Sequence, residues 1–270
     1  MRRFTVVLCA LIVGVLSSRV AAAQTLQLPS FAPTGTPAPA TAATPDEGVG
    51  QFRPRPVNNG LPRFGIGVKA GTLGIGLQVG TALASRVNLR GGANFFNYND
   101  TLNDDGIDYH GTLQLRSVEA KLDLFVIGGF RITPGLLLYN DNSVSATAAV
   151  PDSKTFTLNG VTYSSLASDP IHGTAGVTFN KFAPTIGIGF GNLLPRSGRH
   201  FSVSTDLGIA FSGAPQFALA LAGTGCARGV CQPINTLAAA DIESQRAKIQ
   251  NDLNPFRYYP EASIMFGWSF

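Results

Sequence analysis

The chain has 270 residues, a formal charge of +4 and 13% charged residues, about half the charged fraction of an ordinary soluble domain. Three Cys and 3 His leave too few ligands for a disulfide-dense scaffold, a zinc ribbon or a His-based metal centre. Three of the 20 basic residues, Arg2, Arg3 and Arg19, fall in the first 23 positions, and the remainder is so nearly neutral that it offers little basic surface for nucleic acid.

Met1-Arg2-Arg3 is a short positive region, the stretch from Phe4 to Leu16 is apolar, and Ala21-Ala22-Ala23 supplies small residues. This is the layout of a secretory signal peptide over residues 1–23, cleaved after Ala23. The apolar stretch is shorter than the roughly 20 residues that span a bilayer. Cys9 lies inside it and leaves with the signal. Residues 24–60 are rich in Pro, Ala and Thr, with Pro29, Pro33, Pro37, Pro39, Pro45, Pro54 and Pro56. Such a segment buries too little surface to fold and reads as a disordered periplasmic linker.

From residue 61 to 270 the hydropathy alternates with period two, the mark of strands with two unlike faces. In chain order the segments are 62–71, 74–83, 86–98, 108–126, 130–145, 173–180, 184–192, 201–212, 215–223 and 258–270. In the first pair the apolar positions shift from even (Phe64, Ile66, Val68) to odd (Leu73, Ile75, Leu77). Either a tight turn at Thr72 or a bulge in one long strand accounts for the shift. The expected architecture is therefore an all-β antiparallel barrel of about ten strands, with eight as the alternative. Short connections at 84–86, 127–129, 180–182 and 212–214 are expected at the periplasmic end. Longer ones at 99–107, 145–172, 192–200 and 223–257 are expected outside. Asn159-Gly160 predicts a hairpin within the second of these. Residues 239–253 predict an amphipathic helix capped by Asp241.

The last strand distinguishes a transmembrane barrel from a soluble sandwich. Ala262, Ile264, Phe266, Trp268 and Phe270 share one face, while Glu261, Ser263, Met265, Gly267 and Ser269 share the other. The apolar face becomes aromatic toward the chain end, as a membrane-interface girdle does. This terminus, with Ile264, Phe266, Trp268 and Phe270, resembles the C-terminal assembly signal of Gram-negative outer-membrane barrels. Phe64-Gly-Ile-Gly-Val-Lys-Ala-Gly, Leu73-Gly-Ile-Gly and Asp206-Leu-Gly-Ile resemble small opacity-type and porin-like barrels. The resemblance implies location in the outer membrane, contact with its lipid, and handling by periplasmic chaperones and the outer-membrane assembly machinery.

If the apolar residues face lipid, the lumen receives Arg90, Arg116, Lys121 and Arg131 with Glu119, Asp123, Asp206 and Glu261. Keeping Glu119, Lys121 and Asp123 inside requires a bulge near Arg116–Ser117. Charges of equal number describe either an aqueous pore or an ion-pair network filling a narrow barrel. Inward Gly187, Gly189, Gly208 and Gly267 leave room for a thread of water.

No catalytic, cofactor or metal site is expected. His200-Phe201-Ser202 resembles, over three residues, the His-x-Ser element of outer-membrane lipid A deacylases, but strand parity turns Ser202 inward, away from lipid. Asn103-Asp104-Asp105-Gly106 with Asp108 lacks the acidic first and twelfth ligands of a calcium loop, where Thr101 and Thr112 stand. It reads as a hairpin turn. Cys226 and Cys231 are expected to form a disulfide in an oxidising compartment. Three functions remain: a narrow porin-like channel or closed barrel, a structural or surface-recognition barrel acting through its loops, and a lipid-modifying hydrolase. The sequence names no extracellular ligand.

Overall fold

The computed structural model describes residues 64–195 and 199–270. The proposed signal peptide, the whole of the Pro-rich segment and the first residues of the barrel region lie outside them. In chain order the strands begin with β1 (Phe64–Gly71), β2 (Gly74–Ala84), β3 (Val87–Asp104) and β4 (Ile107–Ile127). A broken strand follows as β5 (Phe130–Ile132), β6 (Gly135–Asn140) and β7 (Ser143–Val150). The hairpin β8 (Thr155–Leu158) and β9 (Val161–Ser165) precedes β10 (Ile171–Thr178) and β11 (Ala183–Phe190). Then come β12 (Phe201–Phe211), β13 (Gln216–Ala222), β14 (Thr224–Ala227) and β15 (Val230–Pro233). Helix α1 (Ile234–Leu237), helix α2 (Ala239–Asp252), a 3-10 turn (Asn254–Arg257) and β16 (Tyr258–Ser269) complete the chain.

Backbone pairing closes a ring. β1 through β4 pair in sequence, β4 pairs β5 and β6, these pair β11, and β11 pairs β12. β12 pairs β16, and β16 returns to β1 with Ile66 opposite Trp268. The Phe270 amide donates to the Phe64 carbonyl at 2.9 Å, tying the chain end to the first strand. The ring has eight staves, the alternative count, rather than ten. The parity shift at Thr72 is a tight turn, with Gly71 opposite Gly74. The two surplus strands arise elsewhere. β10 and β11 are successive parts of one stave, pairing with β7 and then with β6 and β5. β12 and β13 likewise follow one another along β11 and then β10.

Residues 180–182 and 212–214 are therefore breaks within staves, not periplasmic turns. Pro134 and Pro215 stand at such breaks, where a missing N–H leaves no ladder bond to lose. With two fewer crossings, the connection 191–200 falls at the end holding the turns 85–86 and 128–129, opposite to its expected side. The two longest excursions, between β7 and β10 and between β13 and β16, both lie at the other end, as the long loops of outer-membrane barrels do.

Outside the ring, Ile66, Leu77, Val79, Ile186, Leu207, Ile264 and Phe266 form an exposed apolar belt. Aromatic residues border it at both ends. Phe64, Phe190, Phe201 and Trp268 lie toward the turn end, and Phe211 packs edge-on against Tyr258 at the other. Along β16 this belt is about ten residues long, the length a tilted strand needs to cross a bilayer.

β4 corrects a further expectation. It pairs with β3 without a register shift from Leu124 to Ile107, so it has no bulge at Arg116–Ser117. Odd-numbered residues face inward along its whole length. In the lower half these are Glu119, Lys121 and Asp123; in the upper half they are Ile107, Tyr109 and Leu113. The apolar residues change parity because the surroundings change. Within the bilayer the apolar face points out to lipid, whereas beyond it the apolar face packs against protein.

That protein is a unit built on the loop end. The upper part of β4 continues into β7, β10 and β13, and one face of this sheet carries α2. A second sheet, in the order β15-β14-β9-β8, stands beside it. Val144, Val177, Phe217, Ile249 and Leu253 make one apolar cluster, and Ile107, Val150, Tyr163, Ile171 and Ile234 make another.

Candidate functional site: the barrel interior and the loop-end unit

The ring interior is filled in layers. At the turn end, the connection after β11 folds back so that Leu193 and Leu194 are 1% and 2% exposed. Their space comes from Gly65, Gly80 and Gly267. A Cβ on Gly267 would lie 2.3 Å from Leu193 Cδ1, and one on Gly80 2.8 Å from Leu193 Cδ2. Asn192 Oδ1 accepts from the Leu194 amide at 2.9 Å and from Asn88 Nδ2 at 2.8 Å. The Gly191 carbonyl accepts from Arg131. Backbone and side-chain bonds thus hold a two-leucine plug in the mouth of the ring.

Above the plug lies a ring of four charges. Arg90 meets Asp123 through Nε and Nη2, each at 2.7 Å, and Asp206 through Nη1 at 3.0 Å. Arg131 Nη2 donates to Asp206 at 2.7 Å, and its Nε lies 3.3 Å from Asp123. A second set follows. Lys69 pairs with Glu119, Lys121 Nζ reaches Glu261 at 2.6 Å, and the same Nζ lies 3.4 Å from Glu119. Gln78 joins the two sets: its Oε1 accepts from Arg90 at 3.1 Å and its Nε2 donates to Glu119 at 2.6 Å. The account balances at four cations and four anions. Arg90, Glu119, Asp123 and Arg131 are each 1% exposed.

Toward the loop end, Leu73, Leu137, Ala183 and Ala210 pack with Tyr259, whose hydroxyl donates to the Thr72 carbonyl at 2.7 Å. The charges thus lie between two apolar layers. The inward glycines are taken up by protein as well. Gly189 faces the Arg131 guanidinium, Gly187 faces Gly208, and Gly267 faces Leu193.

Seven of the eight expected lumen residues meet in this network; Arg116 does not. It is exposed, because uninterrupted pairing of β4 places even-numbered residues outside. Lys69 holds the fourth cationic position. Its signal was present in the sequence, since it sits between outward Val68 and Ala70 on a strand of clear parity. Leu193 and Leu194 had no such signal, being apolar residues in a connection between strands.

His200 lies at the turn end, not outside, where the connection 192–200 was expected. It stacks on Trp268 at 5.5 Å and its Nδ1 lies 2.9 Å from the Ser269 carbonyl. Ser202 Oγ lies inside, against Gly267. Ile264, Phe266, Trp268 and Phe270, the residues expected to form an assembly signal, are all exposed on the outer face.

In the loop-end unit Cys226 and Cys231 form a disulfide across β14 and β15. Both Asp105-Gly106 and Asn159-Gly160 have positive φ, as two-residue hairpin turns require. Asp241 does not cap α2. It lies in the first turn, where its carboxylate accepts from Tyr163 at 2.5 Å and from Asn159 at 3.1 Å, locking the β8–β9 hairpin to the helix. Those two bonds hold the Asp241 carboxyl below its ordinary range. Burial, and then the bond to Asp241, push the Tyr163 phenol up to about 12.

An apolar belt, two aromatic borders, a closed antiparallel ring and inward-facing charges define a transmembrane antiparallel β-barrel of the outer-membrane type. Two solved structures share this fold. The crystal structure of Acinetobacter baumannii CarO matches with a TM-score of 0.51 and 20% identity, over 77% of this chain and 98% of that one. That of Acinetobacter baumannii CarO2 matches with a TM-score of 0.50 and 20% identity, over 78% of this chain and all of that one. No family model matches the chain. No curated protein matches it either.

Proposed function

We propose that this protein is a closed barrel of the bacterial outer membrane, and that its work is done by the loop-end unit facing the outside. The observation that carries this reading is the packing of the interior. Eight charges pair within hydrogen-bonding distance or close to it, at 1–8% exposure, between an apolar layer and a leucine plug. An aqueous pore needs continuous water, and a charge-lined one shows exposed side chains along its axis. A barrel of eight staves is just wide enough for its side chains to fill it.

The loop-end unit supports the second half of the reading. It has its own apolar clusters, a helix packed on a sheet and a disulfide. An assembly this ordered presents a fixed surface. Electrical recording from planar bilayers tests the proposal: purified protein is expected to add no discrete conductance steps. Reproducible steps from the assembled barrel would overturn it in favour of the narrow channel.

A further inference from the structure

The outward face of β3 and β4 changes character at one row. Below it, toward the turn end, the cross-strand pairs that face lipid are Ala93 with Val118, Gly91 with Ala120 and Leu89 with Leu122. Above it they are Asn97 with Gln114, Asn99 with Thr112 and Thr101 with His110. The row between pairs Phe95 with Arg116, and both side chains are exposed. From Val118 down to Val126 the outward apolar run of β4 is close to the length at which a tilted strand crosses the hydrocarbon. Arg116 therefore stands at the outer edge of the bilayer, at the level of lipid headgroups, where a lipid-facing Arg costs little.

The next staves continue this row. The Asp141 amide donates to the Arg116 carbonyl at 2.8 Å, and the Arg116 amide donates to Asn142 Oδ1 at 2.8 Å. Lys181 follows, directly above the exposed Phe182, with its Nζ 5.2 Å from the centre of the Tyr139 ring. The backbone of Arg116 is thus fixed, yet its guanidinium is hydrogen-bonded to no described residue. Asp141 lies near enough to feel the Arg116 charge, but its carboxylate is engaged by Lys181, by Gln114 at 3.3 Å and by Tyr139. The five N–H donors of the guanidinium stand over an apolar ledge of Phe95 and Val118, and their open side faces lipid.

We propose that Arg116, with Lys181 on the far side of Asp141, holds the anionic phosphate of an outer-leaflet lipid whose acyl chains lie along Phe95, Val118 and Phe182. The planar guanidinium matches two phosphate oxygens at once, and the ammonium adds a second positive charge. Free phosphate would meet only the polar half of this site. The inference does not depend on whether the barrel conducts, since the row lies on the outer face.

The test is native mass spectrometry of the assembled barrel in detergent micelles, titrated with three probes of one acyl length: dimyristoyl phosphatidic acid, dimyristoyl phosphatidylcholine and dimyristoylglycerol. Phosphatidic acid is expected to bind roughly tenfold or more tightly than phosphatidylcholine, whose choline neutralises its phosphate; one charge-assisted hydrogen bond supplies that ratio. Dimyristoylglycerol is expected to bind most weakly. Arg116→Gln should bring phosphatidic acid to the level of phosphatidylcholine, and Arg116→Lys should keep part of the preference, retaining the charge without the fork. Both changes are mild for the fold, because Arg116 is exposed and is held through its backbone. Arg86→Gln removes an exposed positive charge at the turn end and should change nothing. Inorganic phosphate at the concentration of the lipid should not displace it, and displacement would overturn the lipid as occupant. Equal binding of phosphatidic acid and phosphatidylcholine, a preference that survives Arg116→Gln, or one lost equally in Arg86→Gln would each overturn the proposal.

Discussion

Asp123→Asn tests the packed interior at its most charged point. Asp123 is 1% exposed. Its two oxygens lie 2.7 Å from Arg90 Nε and Nη2, and one lies 3.3 Å from Arg131 Nε. Asn preserves the volume and one acceptor but removes the charge, leaving four buried cations to three anions. Each charge-assisted hydrogen bond is worth about 1.5–3 kcal/mol. Losing the pair to Arg90 while a weaker amide bond survives puts the cost at about 3–5 kcal/mol, the range for breaking a buried ion pair. Equilibrium unfolding in urea, followed by the heat-modifiable gel shift of the assembled barrel, measures it. Adding Arg90→Gln restores neutrality, and the double variant is expected to be more stable than Asp123→Asn alone. A loss below about 1 kcal/mol, the scale of a hydrated surface pair, would refute the reasoning, above all if a shift toward anion selectivity accompanied it.

Other perturbations address the remaining parts. Leu193→Ala should leave a cavity against Gly80 and Gly267 and cost about 2–5 kcal/mol in the same unfolding assay; no loss would show that the plug does not pack. Cys226→Ser with Cys231→Ser should leave barrel unfolding unchanged while exposing the β14–β15 hairpin to protease, since closing so short a loop contributes at most about 2–3 kcal/mol. The Tyr163–Asp241 lock has a defined pH window. Asp241 is depressed, so its contribution is present above the ordinary aspartate value and is lost as pH falls through the folded value. Tyr163 is raised, so its contribution is present below the ordinary tyrosine value and is lost as pH rises through about 12. In the tyrosinate difference spectrum, Tyr163→Phe should delete a component titrating near 12, and deletion of one titrating at the ordinary value would refute the lock. Deleting Phe270 is expected to slow barrel assembly in cells, read by the same gel shift, and assembly at the normal rate and yield would exclude its role in the signal.

Within the bilayer, side-chain orientation was legible because one rule governs every strand: apolar outward, polar inward. Ile264, Phe266, Trp268 and Phe270 follow it, as do Arg90 and Asp206. The same rule misled beyond the membrane. Leu113 and Leu115 have the apolarity of lipid-facing residues, yet they lie on the face that continues the lumen, because there the apolar side packs on protein. Reading them as lipid-facing called for a bulge that β4 lacks and turned Arg116 inward. The strand number failed for a related reason. The breaks at 180–182 and 212–214 carry Asn180 and Gly213, with Pro184 and Pro215 just beyond, as turns do, and local sequence does not reveal whether the chain reverses or continues. Pairing settles that, and pairing is non-local. The Leu193–Leu194 plug was illegible for the same reason, since its partners are glycines on three distant strands.

The central claim, that the folded barrel is closed and dry, is tested most directly by thiol accessibility at Ser204→Cys. Ser204 faces inward at 2% exposure, against Gly191 at the base of the plug, and Cys is close to isosteric with Ser. In assembled protein this thiol is predicted to resist methanethiosulfonate ethylammonium added from either side and to react only after unfolding, while an exposed control, His110→Cys, reacts at once. Modification of the Ser204→Cys thiol in the folded barrel at the rate of the control would contradict the account.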